Sequence, residues 1–334
     1  MESEVAISSA KKAYDRCYCP YGESGKIGVC LVGKNGDIFL GSCIQNAAYP
    51  STLNSVAGAV VTANVSGVRQ FREAVIYGEV SDAPHSFYEY IGENNSSISL
   101  ILANDSGLIE ERNIEFGRDL PRGRHVEFKP FHAAHFSGGA SEDALKGMVG
   151  LDLEALWNLL LKECGGKGLS FKNFESVALE AVRGSLNAYA PYSGFAVGSA
   201  ILFADNQIVS GCNFEVKSFE RTICAERAAL LGGVTKGCVQ DYTDSFVEQI
   251  RLLVNFTPTP IPAEPCGACR QALLEVGTEF ALLSICQSDS FTFVPSFTSG
   301  QILKGCGEKG ELAVKERVSE GGLVPAPFTR KNLT

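Results

Sequence analysis

The chain has 334 residues, 45% hydrophobic and 20% charged, a composition that excludes a disordered segment and leaves room for two domains of ordinary size. Its formal net charge is −9 with no dense Lys/Arg run, which argues against nucleic acid as substrate or partner. The Met1-Glu2-Ser3-Glu4 start lacks the basic and apolar regions of a signal peptide and no apolar run is long enough to cross a bilayer, so we expect a cytoplasmic protein whose twelve cysteines are mostly reduced.

Repetition organises the chain. Cys17-Tyr18-Cys19-Pro20-Tyr21 returns as Ala188-Tyr189-Ala190-Pro191-Tyr192, and Gly41-Ser42-Cys43-Ile44-Gln45 as Gly211-Cys212-Asn213-Phe214-Glu215. Gly33-Lys34-Asn35-Gly36-Asp37 and Asp205-Asn206 each read as a hairpin turn between two apolar strands. Residues 1–136 are therefore expected to share the fold of residues 169–334. Between them Ser137-Gly138-Gly139-Ala140-Ser141 is a flexible break, and residues 152–160 have the pattern of an amphipathic helix ended by Gly165-Gly166. We expect 137–168 to be a linker whose helix packs across both domains. His132 and His135 have the spacing of one helix face, but without an acid or cysteine nearby they are not taken as ligands.

The second copy opens with a helix at 174–182. Strands follow at 196–204 and 207–212, then a helix from Cys224, a strand at 250–256, a helix from Cys266 and a strand at 280–286. Such alternation requires right-handed crossovers, so the expected class is α/β, with a partly parallel sheet covered by helices. Both cysteine helices should leave the carboxyl ends of adjacent strands, where open α/β sheets place ligands.

Two stretches carry the chemistry. Cys224-Ala225-Glu226-Arg227 and Pro265-Cys266-Gly267-Ala268-Cys269 each read as the first turn of a helix with an apolar stripe. Three thiols from two helix starts make a set of soft ligands that zinc fits, and a fourth position left open to water marks a catalytic site. Glu226, two residues past Cys224, reaches that position without being a ligand. Three thiolates on a dipositive ion leave a charge of about −1, which blunts the metal's effect on water. The positive ends of both helices, and Arg227 placed to hydrogen-bond the sulfurs, offset it. A closed structural zinc site would need a fourth ligand, for which Cys238 and Cys286 are the first candidates. In the first copy Asn54 stands for Cys224, Val56 for Glu226, and His85 and Tyr88 for Cys266 and Cys269, so one zinc per chain is expected.

With these motifs the second half resembles the cytidine deaminase family. The resemblance also covers Tyr189-Ala190-Pro191-Tyr192-Ser193-Gly194-Phe195-Ala196-Val197-Gly198, Asn213-Phe214-Glu215 ahead of the first cysteine, and the closing Leu323-Val324-Pro325-Ala326-Pro327-Phe328. Asn46-Ala47-Ala48-Tyr49-Pro50 and Phe71-Arg72-Glu73-Ala74-Val75 resemble the non-catalytic half of the long bacterial members, in which the catalytic half comes first; here it comes second. The resemblance implies two α/β/α domains, each with a mixed five-stranded sheet. It implies zinc-dependent hydrolysis of cytidine and deoxycytidine to uridine, deoxyuridine and ammonia, in pyrimidine salvage.

In that reading Cys224, Cys266 and Cys269 hold zinc, Glu226 shuttles protons between N3 and the departing amine, and Arg227 steadies the sulfurs. Asn213 and Glu215 hold the ribose 3′-hydroxyl, Phe195 stacks on the base, and Glu264 stands near the departing amine. Phe328 reaches a pocket across a subunit interface. Val216-Lys217-Ser218-Phe219 departs from the family's usual Asn-Ala-x-Tyr. The implied partner is a small nucleoside, without nucleic acid or membrane, and the implied assembly is a homodimer of four domains. The competing readings are deamination of another cytosine-containing nucleoside or nucleotide, nucleic-acid editing, and a non-catalytic zinc protein.

Overall fold

The two expected hairpins are both present. Asn206 takes the left-handed conformation with φ 67° and Gly36 does so with φ 90°, which turns each pair of strands back on itself. The computed structural model describes residues 2–117, 140–240, 248–296, 301–308 and 311–319. In the first half these form α1 (Glu2–Asp15), β1 (Gly28–Gly33), β2 (Ile38–Gly41), α2 (Ser55–Val65), β3 (Phe71–Tyr77), α3 (His85–Gly92), β4 (Ser97–Asn104) and β5 (Gly107–Glu115). The second half begins with α4 (Glu142–Lys146), α5 (Leu153–Cys164) and α6 (Phe171–Ser185). It continues with β6 (Gly198–Phe203), β7 (Ile208–Cys212), α7 (Ala225–Lys236), β8 (Ile250–Thr257), α8 (Gly267–Leu273), β9 (Ala281–Cys286), β10 (Ser290–Val294), β11 (Gln301–Glu308) and β12 (Glu311–Ser319).

The first sheet has the order β2-β1-β3-β4-β5, and the second repeats it as β7-β6-β8-β9-β10 before adding β11 and β12. Each sheet is mixed, with one parallel pair, β3/β4 and β8/β9. The second sheet thus has seven strands against the expected five, because the chain after β10 turns back twice as an antiparallel meander. A second difference concerns the cysteine helices. They follow β7 and β8, which are not neighbours: β6 lies between them, antiparallel to both. The carboxyl ends of β7 and β8 therefore point the same way, and the two helix starts meet across the end of β6.

The repeat extends to close backbone packing. A Cβ on Gly41 would stand 2.1 Å from Ser55 O of α2, and one on Gly211 would stand 2.2 Å from Ala229 N of α7. Only glycine lets each helix lie this near its strand. Both helices are buried on nearly every side, α7 from Ala225 to Thr235 with Arg227 half-buried. A helix apolar all round belongs inside a core rather than on a surface. Here the other half supplies the missing cover: α2, α3, α7, α8 and the facing sides of both sheets form one shared hydrophobic cluster.

Polar ties cross the same plane, including a matched pair. Arg16 Nη1 donates to Thr235 O (2.6 Å) and Asn187 Nδ2 to Val65 O (2.8 Å). Two further ties have no counterpart among the described residues of the repeat: Ser42 N donates to Thr235 Oγ1 (3.1 Å), and Asn64 Nδ2 to Asn213 O (3.3 Å).

The outer face of the first sheet is covered by α1, and that of the second by α4, α5 and α6. Asp152 caps α5 and Gly165, with φ 70°, ends it, as the sequence predicts. The helix does not bridge the halves, however. Trp157 packs on Phe174 of α6 with ring centroids 5.3 Å apart, inside a core cluster composed of residues from Ala140 onward. Its amphipathic stripe finds a complete partner surface on the second sheet. His132, His135 and the Ser137-Gly138-Gly139 break lie outside the described residues.

Gly211→Ala should lower unfolding stability by about 1–3 kcal/mol through overpacking against α7. Urea denaturation followed by far-ultraviolet circular dichroism measures this.

Candidate active site

The site begins with two helix starts. Cys224 is the N-cap of α7 and Cys266 the N-cap of α8, both in extended backbone with no side-chain cap hydrogen bond. Their sulfurs are thus left free to face each other. Cys224 Sγ lies 4.0 Å from Cys266 Sγ, which lies 3.5 Å from Cys269 Sγ, and all three are within 4.8 Å of one another. A zinc–sulfur bond of about 2.3 Å in a tetrahedral site requires sulfurs about 3.8 Å apart, so the trio fits one zinc ion.

The three thiols also perturb one another. The hydrogen bond with Cys266 is the main influence raising the Cys224 thiol to about 11, and the hydrogen bond with Cys224 does most to raise Cys269 well above its ordinary value. Cys266, in hydrogen-bond contact with both neighbours, is lowered. Arg227 Nη2 adds positive charge, 3.8 Å from Cys224 Sγ and 2.8 Å from Thr222 O.

Glu226 is 5% exposed, with Oε2 3.5 Å from Cys269 Sγ and Oε1 accepting from Asn255 Nδ2 at 3.3 Å. Burial pushes its carboxyl upward. Asn255 on β8 is itself buried, and its Oδ1 has no hydrogen-bond partner among the described residues. The motifs did not reveal this residue. Its one signal is an amide inside the apolar run Leu252-Leu253-Val254-Asn255-Phe256.

A cavity of about 260 Å³ opens beside Glu226, lined by Phe195, Asn213, Glu215, Phe219, Cys224, Glu264 and Cys266 among others. Of the expected residues that are described, Cys269 and Arg227 are not in its lining. Phe195 is 40% exposed, so it is not part of the core. Glu264 pairs with Arg270 at 3.1 Å. Asn213 and Glu215 are buried and also order the pocket wall. Asn213 Oδ1 accepts from Val197 N (2.9 Å), and its Nδ2 donates to Phe195 O (2.9 Å). Glu215 accepts from Tyr192 N (2.9 Å), Ser193 N (3.1 Å) and the Ser193 hydroxyl. Phe219, 59% exposed, is a wall residue that was noted in sequence only as a departure from a pattern. Phe328 lies outside the described residues.

Cys238 and Cys286 are not part of the thiol group; they sit beyond the far end of α7 and at the end of β9, both buried. In the first half, Asn54 caps α2 by accepting from Ala57 N (2.9 Å), Val56 is fully buried, and exposed His85 lies 3.6 Å from Glu89. The N-cap of α3 is Pro84, which puts Pro84 and Phe87, rather than His85 and Tyr88, opposite Cys266 and Cys269.

A family model described as the cytidine and deoxycytidylate deaminase zinc-binding region matches residues 172–283, and a second model of the same description matches residues 2–84. The cytidine deaminase of Sporosarcina psychrophila is 38% identical over 30% of this chain and 68% of its own length. The chain belongs to the cytidine deaminase family. The family member from Halalkalibacterium halodurans is 29% identical over 46% of this chain and 92% of its own length. Among solved structures, the cytidine deaminase of Burkholderia pseudomallei covers 36% of this chain and 90% of its own, at 28% identity and a TM-score of 0.32. Within the family's zinc-binding region, the match at 172–283 contains all three thiols and Glu226, whereas the match at 2–84 contains Asn54 and Val56 at the corresponding places.

Metal analysis should find one zinc per chain, lost in Cys266→Ala and retained in Cys238→Ala. A closed four-cysteine site that includes Cys238 predicts the opposite for the second variant.

Proposed function

We propose that residues 169–334 form the catalytic domain of a zinc-dependent cytidine deaminase that hydrolyses cytidine and deoxycytidine to uridine and deoxyuridine, releasing ammonia in pyrimidine salvage. Residues 1–136 form a domain of the same fold without the chemistry. The observation that supports this most is Glu226: a buried carboxyl beside three convergent thiols, held by Asn255 and facing a cavity of about 260 Å³.

Cys224, Cys266 and Cys269 would hold the zinc, which supplies Lewis acidity that makes water nucleophilic at neutral pH. Glu226 carries the protons. It takes one from the attacking water and delivers it to N3 of the pyrimidine, then takes the second from the hydroxyl formed on C4 and passes it to the amine leaving C4. Its burial raises the proton affinity of the carboxyl. Asn255 orients Glu226 by donating to Oε1. Phe195 and Phe219 offer apolar faces to the base. Asn213 and Glu215 take the ribose 3′-hydroxyl while ordering residues 192–197, and Arg227 draws charge from the sulfurs.

The substrate is a small nucleoside, and the acidic chain favours neither nucleic acid nor an anionic membrane. No helix among the described residues is long and apolar enough to cross a membrane. A cytoplasmic homodimer fits this reading: two chains would make a body of four like domains, closed by a twofold axis. Phe328 is then the residue that would complete a pocket across the interface.

Incubation with cytidine, followed by the fall of its absorbance, tests the activity. Glu226→Gln should keep its zinc and fold yet lose turnover by about 10²–10⁴-fold. Turnover within a few-fold of wild type would remove Glu226 from the mechanism. Light scattering should give a mass near twice 35.7 kDa, and a monomer of full activity would refute the dimer.

A further inference from the structure

Each half reaches into the other with one glutamate. Glu93 follows the end of α3, and Glu275 stands at the corresponding place after α8. Glu93 Oε1 accepts from the hydroxyls of Tyr192 (2.5 Å) and Tyr189 (3.5 Å), and Oε2 accepts from Lys217 N (3.2 Å). Glu275 Oε1 accepts from the hydroxyls of Tyr21 (2.7 Å) and Tyr18 (3.2 Å), and Oε2 from Ala47 N (2.9 Å). Tyr18 and Tyr21 are the repeat counterparts of Tyr189 and Tyr192, and Ala47 that of Lys217. The two carboxylates are thus related by the pseudo-twofold of the fold, with three matching donors each.

The symmetric contacts lead to unlike places. On the side held by Glu93, Tyr192 N and Ser193 N donate to Glu215, and the Ser193 hydroxyl accepts from Phe195 N at 3.0 Å. Lys217 begins the short segment that carries Phe219. One carboxylate from the first half therefore holds two walls of the catalytic pocket, the wall bearing Phe195 and the wall bearing Phe219. On the side held by Glu275, Tyr21 N donates to Gln45 Oε1 at 3.0 Å, so the same loop is held. There, however, Cys43 and Gln45 replace Asn213 and Glu215, and Val56 replaces Glu226.

We propose that Glu93 is a positioning residue for the nucleoside pocket, so that the half without the thiol cluster supplies part of the other half's binding site. The inference rests on reading that pocket as the nucleoside site. A wall that touches substrate equally in the ground and transition states affects KM more than kcat.

The test compares Glu93→Ala, Glu93→Gln, Tyr192→Phe and Glu275→Ala, using cytidine kinetics, thermal denaturation and amide hydrogen exchange. Glu93→Ala should raise KM by about tenfold with kcat within about twofold. Glu93→Gln should recover most of this, because its carbonyl oxygen still accepts from the Tyr192 hydroxyl. Glu275→Ala loses the matching contacts and should lower the thermal midpoint to a similar degree, with KM within about twofold of wild type.

Equal KM effects from the two alanine variants would overturn the proposal, as would a loss confined to kcat. If Glu93→Ala does not fold, Tyr192→Phe decides: it removes one hydroxyl, and an unchanged KM would refute the role. If the wild-type protein leaves cytidine intact, the functional reading fails by itself. Exchange then decides the positioning, because Tyr192 and Ser193 amides should exchange faster in Glu93→Ala and not in Glu275→Ala.

Discussion

The structure depends on the burial of α7. Its first turn carries Cys224, Glu226 and Arg227, and its remaining length is apolar nearly all round. The second sheet can cover one side of such a helix; the other side must be covered by something else. In this chain α2 and the first sheet do so, through a cluster that runs without a break between the halves. Glycines at 41 and 211 let both helices lie against their strands at backbone distance. A helix held so closely cannot shift its first turn, and the geometry of the site follows from that.

Burial also sets the chemistry. Glu226 sits where its ionised form is costly, and a single amide from β8 meets one of its oxygens. The three sulfurs converge within the span of one zinc ion, with Arg227 beside them.

The two halves keep one fold and differ in what it is used for. Where α7 begins with a thiol and an acid, α2 begins with an asparagine that caps its own helix and a valine that fills the core. What the first half retains is packing surface and matched polar ties, including the glutamate pair. Retention of those ties is what a domain requires when its function is to complete a neighbour.

Much of the architecture was legible in local sequence. Hairpin turns, the thiol spacing at helix starts, the Asp152 cap with the Gly165 stop, and the repeat itself depend on residues a few positions apart. Short-range periodicity and turn chemistry encode such features directly. The family resemblance carried by those motifs was of the same kind, and Phe195, Asn213, Glu215, Glu226, Cys224 and Cys266 line one cavity, with Cys269 beside the other two thiols. The tertiary structure alone decided the rest. The placing of β6 between β7 and β8, the docking of α5 on the second sheet only, and the meander β11–β12 depend on which surfaces were left uncovered. Asn255 meets Glu226 across 29 positions and Glu93 meets Tyr192 across 99. No local pattern marks such pairs, because their hydrogen bonds form only after the sheets and helices have been brought together.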